Sequence, residues 1–328
     1  MDVSVIVSTF NQPAWLEKTL TGYLHQNEDE FELLVADDGS GAETRRLVAG
    51  FAGRSPFPLR HIWHEDRGYR RSDILNAAIL ASRGRYLVFS DGDCVPRRDF
   101  VRTHRELREP GRFLSGGSVR LSLEVSRRIE ASDVETGRFA DPCWLREQGE
   151  ALGRHRLRLL PRGRRATLLD RITPTRATWN LNNASTWREP LFAVNGMESE
   201  MQYGGADRAL GSRLENLGLQ GKQVRFRAVL LHLDHARPYK TGESIRRNKA
   251  IRRRIEEEKE VRARNGLGEL RSELETDPSE TRFVELGPAR SGGAPPRWGP
   301  VPREVNRGAM PGEGDRPHGP DPEIGEER

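Results

Sequence analysis

The chain has 328 residues, of which 35% are hydrophobic, low for a polypeptide packed throughout, so part of it is expected to lie outside a core. Lys and Arg outnumber Asp and Glu by 54 to 49, and the net charge of +5 suits an anionic partner such as a nucleoside diphosphate, a phospholipid surface or an acidic glycan. Two cysteines, Cys94 and Cys143, make no disulfide framework, and no run reaches the length of a membrane-spanning helix. Met1-Asp2 leads straight into an apolar run, so no targeting segment is expected. The expectation is a soluble cytoplasmic protein, open to peripheral contact at the inner face of the plasma membrane, with no nucleic-acid partner.

Val3 to Ser8 is a β-branched apolar run of the kind that forms a buried parallel strand. Asn11 can cap a helix, Pro13 can occupy its first turn, and Leu16, Leu20 and Leu24 recur at helical spacing. Phe31 to Ala36 reads as a second strand, ending in Asp37-Asp38-Gly39-Ser40. Thr44 to Phe51 reads as a helix, Leu59 to Trp63 as a strand, Arg71 to Ser82 as a helix and Tyr86 to Phe89 as a fourth strand. Strands alternating with helices of this length predict an α/β fold, a mostly parallel sheet with helices on both faces.

From Phe113 the pattern loosens, with a strand to Val119 broken by a bulge or turn at Gly116-Gly117. Residues 145–176 hold nine arginines against three acidic residues, too polar for core, and read as a basic insertion over or beside a cleft. Val224 to Leu231 reads as a strand ending in His232-Leu233-Asp234-His235. Lys240 to Asn265 reads as a charged surface helix whose arginine and glutamate blocks can pair at i,i+4. Half of the 20 prolines lie from Pro278 onward, where no period is visible, so the tail reads as disordered. The expected organisation is a first half over 1–112 and a second half, carrying the basic insertion, over 113–239. A helical extension over 240–270 and a disordered tail over 271–328 complete it.

Two acidic sites stand at strand ends, Asp37-Asp38 and Asp91-Gly92-Asp93. In extended or tightly turning backbone, residues i and i+2 point the same way, so Asp91 and Asp93 can converge on one hard divalent cation. Open α/β sheets bind their ligands at the carboxyl ends of strands. One site can accept hydrogen bonds from a base or ribose, while the other holds a metal that bridges a diphosphate.

At this point the sequence resembles the family 2 glycosyltransferases of the GT-A fold. The resemblance rests on VSVIVSTFNQPAWLEKTL, LLVADDGS and GRYLVFSDGD in that order, and it covers roughly residues 1–235. Asn183 to Arg188, Val194 to Met197 and Tyr203-Gly204-Gly205-Ala206-Asp207 are similar to the acceptor side of β-1,4-galactosyltransferases and chondroitin-type polymerases. There the last segment reads Gly-Gly-Glu-Asp, so Ala206 replaces a glutamate that helps bind the acceptor sugar, and Asp207 keeps the catalytic base.

The resemblance implies the following roles. Ser8, Thr9 and Phe10 line the nucleotide pocket, Asp38 binds the base, and Asp37 supports its loop. Arg67 or Arg71 approaches the base or phosphates. Asp93 is the direct metal ligand, with Asp91 nearer the ribose and the metal waters. His235 matches the metal-binding histidine better than His232, which reads as a core histidine. Asn183, Tyr203, Gly204 and Gly205 belong to acceptor binding. The implied activity is an inverting transfer from a UDP-sugar, with Mn²⁺ or Mg²⁺, to an oligosaccharide or lipid-linked glycan. The alternative is a non-catalytic nucleotide-sugar-binding protein.

Overall fold

The computed structural model describes residues 1–160, 163–236, 241–276 and 281–286, the last of these by backbone alone. Strand β1 (Val3–Thr9) leads to helix α1 (Pro13–Leu24), which has proline in its first turn. Asn11 does not cap α1. It sits at φ 47°, and its side chain accepts the Gly41 N–H at 3.1 Å, tying the first strand end to the second. Strands β2 (Phe31–Asp37) and β3 (Leu59–His64) and helices α2 (Ala42–Ala52) and α3 (Arg71–Ala81) follow, then β4 (Tyr86–Asp91). Side chains alternate faces along these strands. Val3, Val5 and Val7 join Leu33, Val35 and Val88 on one side of the sheet, while Ile6, Leu34, Leu87 and Phe89 enter the core on the other. A parallel sheet buried on both faces needs such continuous apolar runs.

Beyond β4 the chain builds a second sheet. Strand β5 (Cys94–Pro96) and helix α4 (Phe100–Leu107) precede two short strands, β6 (Arg112–Ser115) and β7 (Gly117–Arg120). Only Gly116 separates these two, and they belong to different sheets. A Cβ at Gly116 would lie 2.0 Å from Asn183 Oδ1, so the switch between sheets requires glycine there. Short helices follow: α5 (Leu123–Arg128), α6 (Ala131–Thr136), α7 (Pro142–Glu147), α8 (Arg156–Leu159) and α9 (Gly163–Ile172).

Strand β8 (Asn183–Trp187), helices α10 (Arg188–Ala193) and α11 (Ala206–Asn216), and strands β9 (Gln220–Gln223) and β10 (Val229–His232) return the chain to both sheets. Of the strand expected over 224–231 only residues from Val229 onward are strand, because 224–228 form the turn between β9 and β10. Helices α12 (Gly242–Glu257) and α13 (Leu267–Thr276) and strand β11 (Thr281–Leu286) close the described chain. The main sheet runs β11-β3-β2-β1-β4-β8-β6-β9, parallel from β3 to β4, and the small sheet runs β5-β10-β7.

The disordered tail expected from residue 271 is corrected in part. Helix α13 continues to Thr276 because Leu267, Leu270 and Leu274 pack into the core, and β11 adds antiparallel to β3. The rest of that expectation falls on 277–280 and 287–328, outside the described residues. Among the described residues no helix is long and apolar enough to cross a membrane.

Candidate active site

The carboxyl ends of β1, β2 and β4 open on a cleft of about 760 Å³ that also receives the ends of β7, β10 and the first turn of α11. Register places Ser8 beside Asp91 and Thr9 beside Asp37, so the two acidic strand ends flank the end of β1. Ser8, Thr9 and Phe10 line the cleft, as do Asp38, Arg71, Asp91 and Asp93.

The two aspartates after β2 do different things. Asp38 reaches the cleft, taking His64 Nε2 at 2.7 Å on one oxygen and the Arg70 N–H at 3.2 Å on the other. Burial pushes its carboxyl up, and the hydrogen bond and charge of His64 act against that. Asp37 is fully buried, and its oxygens accept the Ser40 N–H at 2.8 Å and His61 Nε2 at 2.9 Å. Asp37 has no exposed surface and does not line the cleft, so it holds the loop and leaves the nucleotide-contact set. Arg67 also leaves it. Its side chain is 54% exposed and donates to Glu65, whereas Arg71 points into the cleft.

Asp91 and Asp93 are likewise divided. Asp91 ends β4 and accepts Ser8 Oγ at 2.9 Å together with Arg71 Nη2, while Arg71 Nε donates to Ser8 at 3.1 Å. Burial raises the Asp91 carboxyl, Arg71 opposes this, and Asp93 adds to it. Arg71 is held above its ordinary range; burial works against its charge, but Asp91 and then Tyr69 and Asp207 outweigh it.

Asp93 faces the small sheet instead. His235 Nε2 lies 2.8 Å from its Oδ2 and His232 Nε2 3.8 Å away. Burial would raise the Asp93 carboxyl, yet the His235 hydrogen bond and the two histidines hold it below the usual range. Ligand atoms of Asp93, Cys94 and His232 all lie within 4.8 Å of one another. Burial, reinforced by Asp93 and Asp91, pushes the Cys94 thiol well up, so it keeps its proton and donates to Asp93 Oδ1 at 3.2 Å. His235, with Nε2 2.8 Å from Asp93 Oδ2, stands beside this group. Asp91 gives one oxygen, Oδ1, to both Arg71 and Ser8. His232, expected either in the core or at the metal, is buried at the end of β10 and also lines the cleft.

The acceptor-side residues also separate. Asp207 lies one residue into α11, accepts the Arg208 N–H at 2.8 Å and lines the cleft. Tyr203 lines it too, packed edge-to-face on Tyr69 at 6.3 Å. Gly204 and Gly205 line an adjoining pocket of about 170 Å³ with Ala206 and Asp207. Asn183 is a correction. It is buried, donates to the carbonyls of Gly117 and Ala228 at 2.9 and 3.1 Å, and takes His104 Nε2 on Oδ1 at 3.0 Å. Its neighbours Asn180 and Asn182 line the cleft in its place.

Several residues went unread in the sequence. Gln12 Nε2 lies 3.1 Å from His235 Nδ1, which also lies 2.8 Å from the Ala236 carbonyl. Asn248 of α12 is fully buried and donates to the carbonyls of Gln202, Tyr203 and Gly204 at 2.9 to 3.1 Å. The charged helix expected on the surface therefore fixes the acceptor loop. Its signal was a lone asparagine inside an arginine-rich helix, where burial cannot be read from composition.

The sequence signature described as Glycosyl transferase family 2 matches residues 4–131. That segment holds β1 to β4, Asp38, Arg71, Asp91 and Asp93. This chain contains a family 2 glycosyltransferase domain. Among relatives of the chain, the uncharacterized glycosyltransferase YfnE of Bacillus subtilis is 25% identical over 295 residues, 76% of this chain and 69% of that protein. Validoxylamine A glucosyltransferase of Streptomyces hygroscopicus subsp. jinggangensis is 29% identical over 103 residues, 31% of this chain and 24% of that protein. The matched segments span between 22% and 29% of the length of three such curated relatives. Residues 1–349 of TarS from S. aureus, solved in complex with UDP-GlcNAc, superpose with a TM-score of 0.51 at 14% identity, covering 73% of this chain and 60% of that one. The fold of the chain is GT-A.

Proposed function

We propose that the chain is an inverting, metal-dependent glycosyltransferase that moves a hexose or N-acetylhexosamine from a UDP-sugar to a saccharide acceptor in cell-surface polysaccharide or glycan synthesis. The observation that carries the reading is one cleft lined by both the Asp93–His232–His235 corner and Asp207. A free or lipid-linked oligosaccharide is the acceptor class, following the likeness of residues 183–207 to galactosyltransferases.

Asp93, His232 and His235 would hold the cation, which when bound offsets charge on the leaving diphosphate. A mixed carboxylate and imidazole set suits Mn²⁺ better than Mg²⁺, which prefers oxygen ligands throughout. Asp38 accepts hydrogen bonds from the base, and Phe10 at the rim offers it an apolar face. Arg71, held by Asp91 and Ser8, presents fixed positive charge to the phosphates. Asp207 takes the proton of the acceptor hydroxyl as that oxygen attacks the anomeric carbon, so an α-linked donor gives a β-linked product.

A thermal-shift panel of nucleotide sugars with and without Mn²⁺, followed by transfer assays, tests this. A UDP-sugar should raise the melting temperature in Mn²⁺, and Asp93→Ala should abolish both the shift and transfer. Asp207→Asn should bind donor normally and lose about 10²- to 10⁴-fold in kcat. Full transfer by Asp93→Ala would refute the metal corner. A second reading, a non-catalytic nucleotide-sugar binder, rests on Ala206, which gives the adjoining pocket a methyl group where the related segment has a carboxylate. Mn²⁺-dependent UDP binding without turnover on any donor and acceptor pair would favour it.

A further inference from the structure

Among the described residues, eight large hydrophobic side chains are exposed, and four of them lie within residues 157–172. They are Leu157 at 49% exposure, Leu160 at 57%, Leu168 at 56% and Ile172 at 61%. Their arrangement on α9 follows from helix geometry. At about 100° per residue, Leu168 and Ile172 share the centre of the solvent face. Arg164 and Arg171 fall on one side of that pair and Arg165 on the other. Ala166 and Asp170 fall on the opposite face and are buried. Asp170 anchors the helix there, accepting the Phe226 N–H at 2.9 Å and Arg227 Nε at 2.6 Å.

The charge on this face is unbalanced. None of Arg154, Arg156, Arg164, Arg165 and Arg171 has a carboxylate partner among the described residues, and Asp170 is turned inward. Apolar side chains flanked by unpaired guanidinium groups are what an interfacial helix presents to a lipid surface, with leucines below the headgroups and arginines reaching the phosphates. A solvated helix would gain nothing from the leucines, and a nucleic-acid site would not need them.

The segment is fixed to the catalytic body. Leu159 packs with Val119, Val229 and Leu231 of the small sheet, and Arg158 donates to the Ser118 carbonyl at the edge of the cleft.

We propose that the exposed face of α8 and α9, centred on Leu157, Leu160, Leu168 and Ile172 and ringed by arginines, docks the enzyme on an anionic phospholipid surface. Docking needs neither donor nor acceptor, so it stands apart from the reading of the active site.

The test is cosedimentation of the full chain with vesicles, of phosphatidylcholine alone and of phosphatidylcholine mixed with phosphatidylglycerol. Binding to the anionic vesicles should exceed binding to the neutral ones by at least about tenfold and fall at high salt. Two variants separate the contributions, Arg164→Gln/Arg165→Gln/Arg171→Gln and Leu168→Ser/Ile172→Ser. Each should lose about tenfold in vesicle binding while keeping the wild-type circular dichroism and UDP affinity, because these side chains are solvent-exposed and outside the cleft. Equal binding to neutral and anionic vesicles would overturn the proposal. So would unchanged vesicle binding by the leucine variant, or a leucine variant whose only change is loss of self-association in sedimentation. Binding of a nucleic-acid duplex that competes with vesicles and ignores the leucine substitutions would assign the face to another polyanion.

Discussion

Protonation of His104 is expected to cost the fold a measurable part of its stability. His104 on α4 is completely buried. Its Nε2–H donates to Asn183 Oδ1 at 3.0 Å, and Nδ1 accepts the Ser185 hydroxyl at 2.7 Å. Ser185 in turn accepts the Tyr86 hydroxyl at 2.7 Å. This chain of donors suits the neutral imidazole, because a second ring N–H would meet the hydroxyl as donor against donor. Burial pushes the imidazole down from 6.5 to about 4, with the Asn183 hydrogen bond pulling weakly the other way.

The sign follows from proton uptake. Between pH 6.5 and about 4 the unfolded chain holds the proton and the folded chain does not. The contribution is therefore complete above the unfolded value and disappears as pH falls through that window. A shift of this size corresponds to about 3 kcal/mol. Urea unfolding of wild type and His104→Gln, compared at pH 7.5 and pH 4, isolates it. Buried carboxylates such as Asp91 titrate in both proteins and cancel. Gln has no proton to take up, so the variant should show about 3 kcal/mol less pH dependence. Equal pH dependence in the two proteins would refute the neutral, buried assignment.

Asn183→Ala should lower stability by about 2–5 kcal/mol by stranding the Gly117 and Ala228 carbonyls, and leave acceptor KM unchanged at low temperature. A raised KM with unchanged melting would restore Asn183 as an acceptor ligand. Gly39 sits at φ +98°, and a Cβ there would lie 2.6 Å from the Asp66 backbone. Gly39→Ala should therefore displace the 66–71 loop and weaken UDP binding by about tenfold, or about 1.4 kcal/mol, as read by calorimetry. Glu198 is buried with Arg213 at 2.5 Å and also accepts the Asn265 N–H at 3.0 Å, pinning the chain before the acceptor loop. Glu198→Gln should cost about 3–5 kcal/mol in urea unfolding, since it leaves the buried guanidinium with only the Glu260 carboxylate at 3.8 Å. A cost under about 1 kcal/mol would mean that water reaches Arg213.

Legibility tracked how local each determinant was. The four parallel strands and the helices between them could be read because apolar runs and periodic leucines are properties of neighbouring residues. Asp38, Asp91, Asp93 and Asp207 were legible because each stands at a recognisable strand end or helix start. The division of labour within each acidic pair came from the family resemblance and not from spacing. The partners that hold Asp37 and Asp38 are His61 and His64, which arrive from the next strand, 24 and 26 residues away. The same holds for Asn183, whose partners lie up to 79 residues distant. Asn248 and the core face of α13 were hidden by composition, because a few buried positions decide docking while the charged majority sets the average.

The seam between the two sheets is where these determinants meet. Asp91 belongs to the main sheet and Asp93 leads into the small one, so the metal corner forms only if the sheets keep their spacing. Asn183 sits on β8 of the main sheet, and its amide holds the Gly117 carbonyl of β7 and the Ala228 carbonyl just before β10. His232 ends that same β10, paired with Cys94 of β5. A displacement of the small sheet by even a fraction of an ångström would carry His232 and His235 away from Asp93. The His104–Asn183 network is thus a positioning device for the proposed cation site, although neither residue touches it. The insertion bearing the exposed leucines is anchored on this sheet as well, through Leu159 and Arg158. One small three-stranded sheet therefore ties the cation corner, one wall of the cleft and the arginine-rich face into a rigid unit. A protein docked by that face would hold its cleft at a set distance from the surface it rests on.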